Sequence, residues 1–271
     1  MNKDFTLSAY RNLLLALQKA GYCFLPFGDV RQFMLDHPHE SLPDKYVMLR
    51  HDVDLRAGNS LLTAQIENKL DIRASYYFRV VEQSNQPDII RKIALLGHEI
   101  GYHYEDMSVA NGDIDKALDH FSEWLGYFRQ FYPVKTICMH GAPTSRYDGR
   151  DLWKTKSYQE FGIIGEPYLD IDFRKVFYLT DTGRQWDGYR VSVRDKVPQQ
   201  DEWTRTGRTF HTTDDIIRCL DDGTFTDKLG NAVMITTHPQ RWTDNSLLWA
   251  REYMLQSAKN IIKRLLIWAR E

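Results

Sequence analysis

Residues 7–20, Leu-Ser-Ala-Tyr-Arg-Asn-Leu-Leu-Leu-Ala-Leu-Gln-Lys-Ala, set apolar side chains at helical spacing and stop at Gly21, a residue suited to the turn that ends helices. A short helix is expected over Val30–Leu35, and a loop around Pro38–Pro43, where the prolines break both periodicities. From Tyr46 the pattern alternates. Extended apolar runs predict strands at 46–53, 74–80, 98–103, 135–139, 161–165, 176–180 and 232–237. Helical periodicity falls at 57–70, 87–96, 113–131, 214–220 and 244–270, and residues 183–212 read as irregular. Strand and helix in turn, with about seven strands, predict an α/β fold around a parallel sheet that is closed or nearly closed. No repeat or low-complexity linker interrupts the chain. It is read as one domain over 1–271, with helices in 4–37, the strand–helix body at about 46–240, and a helix at about 244–270.

Chemistry in such folds gathers at the C-terminal ends of the strands, and the polar residues here sit at those ends. Tyr46-Val-Met-Leu-Arg-His-Asp-Val-Asp54 closes the first strand with two carboxylates one residue apart. Side chains at i and i+2 of a strand share a face, so Asp52 and Asp54 project together and repel unless a cation or a proton lies between them. A metal on one and an activated water on the other would satisfy both. So would a capping pair, with Asp54 serving the helix that begins near Arg56. His103 ends a later strand, His140 the next, Asp181 another and His238 the last. Any one of these alone is more often structural than functional, but five such endings together are not expected by chance. Asp with His is a mixed oxygen and nitrogen set that suits zinc and neighbouring divalent ions. Arg50, at i−2 from Asp52, lies on the same face one layer deeper, either keeping Asp52 ionised or forming a structural ion pair. His51 faces the other way and reads as structural. Trp186, in Thr-Asp-Thr-Gly-Arg-Gln-Trp, could line a substrate cleft with Asp181 as a stacking platform, although core packing is the commoner single explanation for such a ring.

Composition narrows the partners. Net charge is −2 and no long basic block exists, which leaves no nucleic-acid footprint. No stretch reaches the roughly 18 uninterrupted apolar residues of a membrane span. The N-terminus lacks a charged-then-apolar leader, and the three cysteines, Cys23, Cys138 and Cys219, are widely spaced. Together these read as reduced thiols in a cytoplasmic protein.

Asp-Val-Asp after an apolar strand, Gly97-His-Glu-Ile-Gly-Tyr-His103, and Thr-His238-Pro on the last strand resemble the polysaccharide deacetylases with NodB homology, metal-dependent carbohydrate esterases. The likeness spans about residues 46–240 and is nearest to a branch of polysaccharide and O-antigen biosynthesis proteins whose first motif reads Arg-His-Asp-Val-Asp. It implies a distorted (β/α)7-type barrel, Asp52 as catalytic base, Asp54 and His103 as metal ligands, His238 as general acid, and a structural His98. One departure matters. The family places a second metal histidine four residues after the first, and that position is Met107, a poor ligand for a hard or borderline cation. The third ligand is expected from His140, which ends the neighbouring strand, or failing that from Glu105. The Arg-x-Pro-Tyr motif is replaced by His140-Gly-Ala-Pro143, with Arg146 shortly after.

The expectation is therefore a metal-dependent hydrolase that removes an acyl group, N-acetyl first, from an amino sugar or glycan precursor. The ion is expected to be zinc, with cobalt, nickel or manganese as alternatives, and the partner a carbohydrate. The sequence does not specify an oligomeric state. Two rivals stand beside this reading: a glycoside hydrolase using the carboxylate pair, and a carbohydrate-binding protein of the same fold that has lost catalysis, which Met107 favours.

Overall fold

A computed structural model describes residues 3–142, 145–186 and 197–268. Its centre is a curled, open parallel sheet of seven strands flanked by helices, matching a distorted (β/α)7-type barrel. The strands are β1 (Cys23–Phe24), β2 (Tyr46–Val53), β3 (Ser75–Phe78), β4 (Glu99–Tyr104), β5 (Ile137–Met139), β6 (Phe177–Thr180) and β7 (Ala232–Thr237). Their spatial order is β5-β4-β3-β2-β7-β6, with β1 against β2. β2 is the hub. Its first residues pair with β1, its last four with β3 along the same edge, and Tyr46–His51 with β7 along the other. A strand bordered on both edges cannot be solvated, and seven of its eight residues are buried.

The sheet departs from expectation in three places. Among the described residues no strand closes the gap between β5 and β6, so the barrel is open there. The strand expected at 161–165 is reduced to a single parallel bridge between Thr136 and Gly165, because a short helical turn, Tyr158–Phe161, takes up its first residue. The irregular stretch contains a helix at Gln200–Arg205, and β1 and a helix at Phe225–Leu229 were not anticipated. The helix expected at Val30–Leu35 runs from Phe27 to Asp36.

The flanking helices follow their apolar stripes. In Leu7–Lys19, Tyr10, Leu13, Leu14 and Leu17 are buried, and Thr6 caps the first turn by accepting the Ala9 N–H at 3.0 Å. In Ile114–Phe128 the buried set is Ala117, Phe121, Leu125 and Phe128.

Strand alternation sorts the polar side chains between two faces. Inside, the register aligns Arg50 with Ser75 and Ser75 with Glu99. Glu99 accepts Ser75 Oγ and Thr136 Oγ1, each at 2.5 Å, and the Gly28 N–H at 3.0 Å. The N-terminus of helix Phe27–Asp36 thus caps the barrel floor, where its amides meet a carboxylate. Gly28 is required there, because a Cβ would stand 2.4 Å from Glu99 Oε1. One layer up, Gly101 leaves room for the Tyr77 ring, which a Cβ would meet at 2.4 Å.

Outside, His51 stacks on Tyr76 with ring centroids 4.1 Å apart. Its Nε2 lies 2.8 Å from Glu67 and its Nδ1 2.6 Å from the Thr237 hydroxyl. Tyr10 and Tyr76 donate their hydroxyls to the same Glu67 at 2.5 and 2.8 Å. His98 accepts the Ala74 N–H and reaches the Ala64 carbonyl. Both histidines are therefore structural, as expected. Burial alone would raise the Glu67 carboxyl, but His51, His98 and the Tyr10 hydrogen bond outweigh it and hold it below its ordinary range.

Glu67→Ala strands three buried donors at once and is expected to destabilise the protein by about 3–5 kcal/mol, read from chemical denaturation. Glu67→Gln, which keeps an acceptor, should cost less. A loss under about 1 kcal/mol for the alanine variant, no more than an ordinary hydrogen bond, would mean that this network does not hold the helices to β2.

Candidate metal centre

Four strands deliver the side chains at the mouth of the barrel. Asp52 is on the inner face of β2, and Asp54 lies one residue beyond the strand, its N–H bonded to the Asp52 carbonyl at 3.1 Å. His103 faces inward from β4. His140 follows β5, and its N–H donates to the Tyr104 carbonyl at 2.8 Å, which extends the β4–β5 ladder by one residue. His238 follows β7.

Asp54 is the convergence point. Its Oδ1 lies 3.7 Å from His103 Nε2 and 3.5 Å from His140 Nε2, and its Oδ2 lies 3.9 Å from His238 Nε2. Asp54, His103 and His140 each offer one donor atom, all within 4.8 Å of one another, a group that could hold a metal ion. A tetrahedral ion with bonds of 2.0–2.2 Å separates its ligands by about 3.4 Å, close to the two shorter distances. Asp54 Oδ1 is buried without a hydrogen-bond donor, a costly state for a carboxylate oxygen that a cation would relieve. The donor set therefore fits a divalent ion.

Each imidazole is oriented from behind. His103 Nδ1 bonds the Cys138 carbonyl at 2.9 Å, and His140 Nδ1 bonds Glu105 Oε2 at 3.0 Å. A proton on each Nδ1 leaves each Nε2 lone pair facing Asp54, the arrangement that carboxylate and carbonyl partners impose on metal-binding histidines. Burial, reinforced by the neighbouring His140, lowers the His103 pKa to about 3, so its ring is neutral at ordinary pH. Burial works against the Asp54 carboxylate, but His140 and His238 outweigh it and hold its pKa below the ordinary value. Glu105 is pulled down to about 2, because His140 and the fork of Arg79, at 2.7–2.9 Å, override its burial.

Two further groups flank the cluster. Arg50 donates from Nη2 to Asp52 Oδ2 at 2.9 Å and to the Tyr168 hydroxyl at 2.8 Å, with the guanidinium 4.7 Å from the Tyr168 ring centroid. Behind His238, Asp181 accepts the His238 N–H at 2.9 Å and the Trp242 Nε1–H at 2.8 Å, and bonds His238 Nδ1 at 2.6 Å. Arg241 donates to the same carboxylate at 2.5 Å. Burial and Arg241 lower the His238 pKa, yet Asp181 and Asp54 prevail and raise it above the ordinary imidazole value.

Three expectations need correction. Glu105 points at Arg79 and His140, not at Asp54, so it braces a histidine and is no alternative ligand. Asp181 is wholly buried beneath His238 and does not line a cleft. Trp186 takes the core role, the commoner explanation for such a ring, and not the stacking one: it is 3% exposed, near Phe5 and Trp242 and bonded to the Thr213 hydroxyl, so it presents no face to a sugar. Arg79, Gln240, Arg241 and Cys138 were missed. Arg79 ends the β3 run, and Gln240, whose amide reaches Asp54 Oδ2 at 3.3 Å, follows His238 closely in sequence. Extending the strand-end rule to basic and amide side chains would have found both. A cavity of about 430 Å³ opens beside His140, lined by Arg79, Glu105, Asn111, Arg146 and Tyr147 among others.

No family model matches the sequence, and no curated protein matches it. Two solved structures are similar at a distance. One is the deacetylase PplD of Streptococcus pyogenes in complex with acetate, at 15% identity over 56% of this chain and 69% of that one, with a TM-score of 0.43. The other is a family 4 carbohydrate esterase from Streptomyces lividans, also in complex with acetate, at 16% identity over 80% of this chain and 90% of that one, with a TM-score of 0.38. Both likenesses are too remote to transfer a role to any residue.

Glu105→Gln removes the charged brace behind His140 without touching Asp54. It is expected to lower zinc affinity by about 10–100-fold, measured by competition with a chromophoric chelator. Unchanged affinity would separate Glu105 and His140 from the ion.

Proposed function

We propose that this protein is a divalent-metal-dependent hydrolase that removes an acyl group, N-acetyl first, from an amino sugar. The observation that carries this reading is the convergence of His103 and His140 on Asp54 Oδ1, with Asp52 Oδ2 3.8 Å from His103 Nε2 and His238 Nε2 3.9 Å from Asp54 Oδ2. The motif resemblance supports it independently of the geometry. Asp54, His103 and His140 would hold the ion, zinc being the best match to two imidazoles and a carboxylate, with cobalt, nickel and manganese next.

When bound there, a divalent ion supplies Lewis-acid polarisation of the acyl carbonyl and acidifies the attacking water. The side chains do the rest. Asp52, oriented by Arg50, accepts the water proton as oxygen attacks the acyl carbon. His238, oriented by Asp181, delivers a proton to the sugar nitrogen as the C–N bond breaks, since an amine anion is a very poor leaving group. The products are a carboxylate and a free amine. Asp181 and Arg241 keep the ring in place between those steps.

The rivals are less well supported. A glycoside hydrolase needs two carboxylates that are open to the substrate, whereas Asp54 faces three imidazoles and Asp52 is tied to Arg50. Loss of function at Met107 is answered by His140, which brings a nitrogen donor from another strand. The substrate range we propose is glycan precursors of polysaccharide or O-antigen assembly, as nucleotide-linked or lipid-linked sugars in the cytoplasm. Among the described residues no helix is long and apolar enough to cross a membrane.

Asp52→Asn is expected to abolish acetate release while leaving metal affinity within about tenfold, because a base outside the coordination sphere affects turnover more than binding. Asp54→Asn should lose the metal. His238→Ala should slow turnover by roughly 10²–10⁴-fold, the usual worth of a positioned acid. The assay is acetate release from N-acetylated nucleotide sugars and oligosaccharides, with and without zinc, cobalt or nickel. Silence across that panel, with sugars still bound, would favour the non-catalytic rival. Full activity in Asp52→Asn would remove the base from the mechanism.

A further inference from the structure

The proposed hydrolysis leaves one inner-wall donor unused. Cys138 is on β5, directly opposite His103 in the β4–β5 register, and is fully buried. Its sulfur, a carboxylate oxygen of Asp52 and an imidazole nitrogen of His103 all lie within 4.8 Å of one another. This triad is deeper than the one at the mouth, since Asp52, His103 and Cys138 are all buried, whereas Asp54 and His140 are part-exposed. The orientation of His103 serves both. Nδ1 is committed to the Cys138 carbonyl, and Nε2 stands 3.8 Å from Asp52 Oδ2 and 3.7 Å from Asp54 Oδ1. Asp52 has an oxygen to offer, because Arg50 engages Oδ2 while Oδ1 is buried with no donor.

We infer that Asp52, His103 and Cys138 form a second, deeper cation position, selective for divalent ions softer than zinc, cadmium first, and mutually exclusive with the outer one. Exclusion follows from His103, whose single Nε2 lone pair cannot serve two ions. Selectivity follows from ligand softness. The outer position offers oxygen and nitrogen only, while the inner one adds a thiol sulfur, which soft ions prefer and hard ions do not. An ion entering there displaces the thiol proton to solvent and binds the thiolate. The guanidinium of Arg50 opposes any cation this deep, so only an ion that gains strongly from sulfur should settle there. Taken together with the proposed function, on which this consequence rests, the inner position is inhibitory. It removes the base Asp52 and the ligand His103 in one event.

The test is a cadmium titration of the metal-stripped full chain, followed by the ultraviolet charge-transfer band of a cadmium–thiolate bond. That readout does not depend on turnover, so failure of the hydrolase reading and failure of this one are distinguishable. The band should appear and saturate in the wild type and in His140→Ala, and be lost in Cys138→Ala, Asp52→Asn and His103→Ala. The double variant Cys23→Ser/Cys219→Ser, which keeps Cys138 as the sole thiol, should retain it, and this decides the matter if Cys138→Ala does not fold. Absence of the band from the wild type or the double variant would overturn the inference. So would its persistence in Cys138→Ala, or its loss in His140→Ala alone.

Discussion

Everything at the mouth of this barrel depends on the compensation of charge along one buried strand. β2 carries Arg50, His51 and Asp52 in succession, all within a few per cent of complete burial. Alternation sends the first and third inward and the second outward, so each face must find its own counter-charge. Inside, Arg50 and Asp52 pair with each other at 2.9 Å. Outside, His51 is matched by Glu67 from the packed helix at Ala57–Lys69. An uncompensated charge here would cost several kcal/mol. β2 therefore cannot slip by one residue without exchanging both partners, and that pins Asp52 and Asp54 at the rim.

The rim itself is a balance between burial and mutual charge. His103 is kept neutral by its surroundings, while His238 is kept easily protonated by Asp181. The two imidazoles flank the same carboxylate yet are driven in opposite directions, because only His238 has a carboxylate at its back. His103 has a carbonyl there instead. Such a split between neighbouring titratable groups separates a group suited to donating a lone pair from one suited to donating a proton.

Much of this was legible in the chain. The strand ends named Asp52, Asp54, His103, His140 and His238, because a parallel sheet gathers the C-terminal ends of its strands and period-2 alternation fixes which side chains face in. The errors came where local pattern is uninformative. Asp181 also ends a strand, but a strand end does not distinguish a residue at the surface of a site from one underneath it. Trp186 follows Asp181 closely in sequence, and only tertiary packing against Phe5 and Trp242 decides that it is core. The strand read at 161–165 has the composition of one, yet a helical turn and a glycine in the left-handed conformation, Gly162 at φ +71°, cut it to a bridge. Cys138 gave no signal, since a lone cysteine in a strand resembles any small apolar residue.

The proposed ligand set takes its third donor from just past β5 and not from the turn after His103 that carries Met107. The turn at Asp106–Val109 belongs to the core: Met107 is buried, and Asp106 accepts the Tyr102 hydroxyl and bonds His120. With Asp106 satisfied from behind, rotating this turn toward the mouth would break its buried bond to Tyr102 and its part-buried bond to His120. The neighbouring strand offers a shorter route. β5 runs beside β4, with Cys138 opposite His103, so one more residue of ladder places His140 two residues further toward the mouth, and Glu105, itself clamped by Arg79, holds its ring. The brace comes from the residue that leads into that turn. The bracing is reciprocal: Glu105, two residues past His103, orients His140, and the carbonyl of Cys138, two residues before His140, orients His103, so adjoining strands hold the two Nε2 atoms toward a common point.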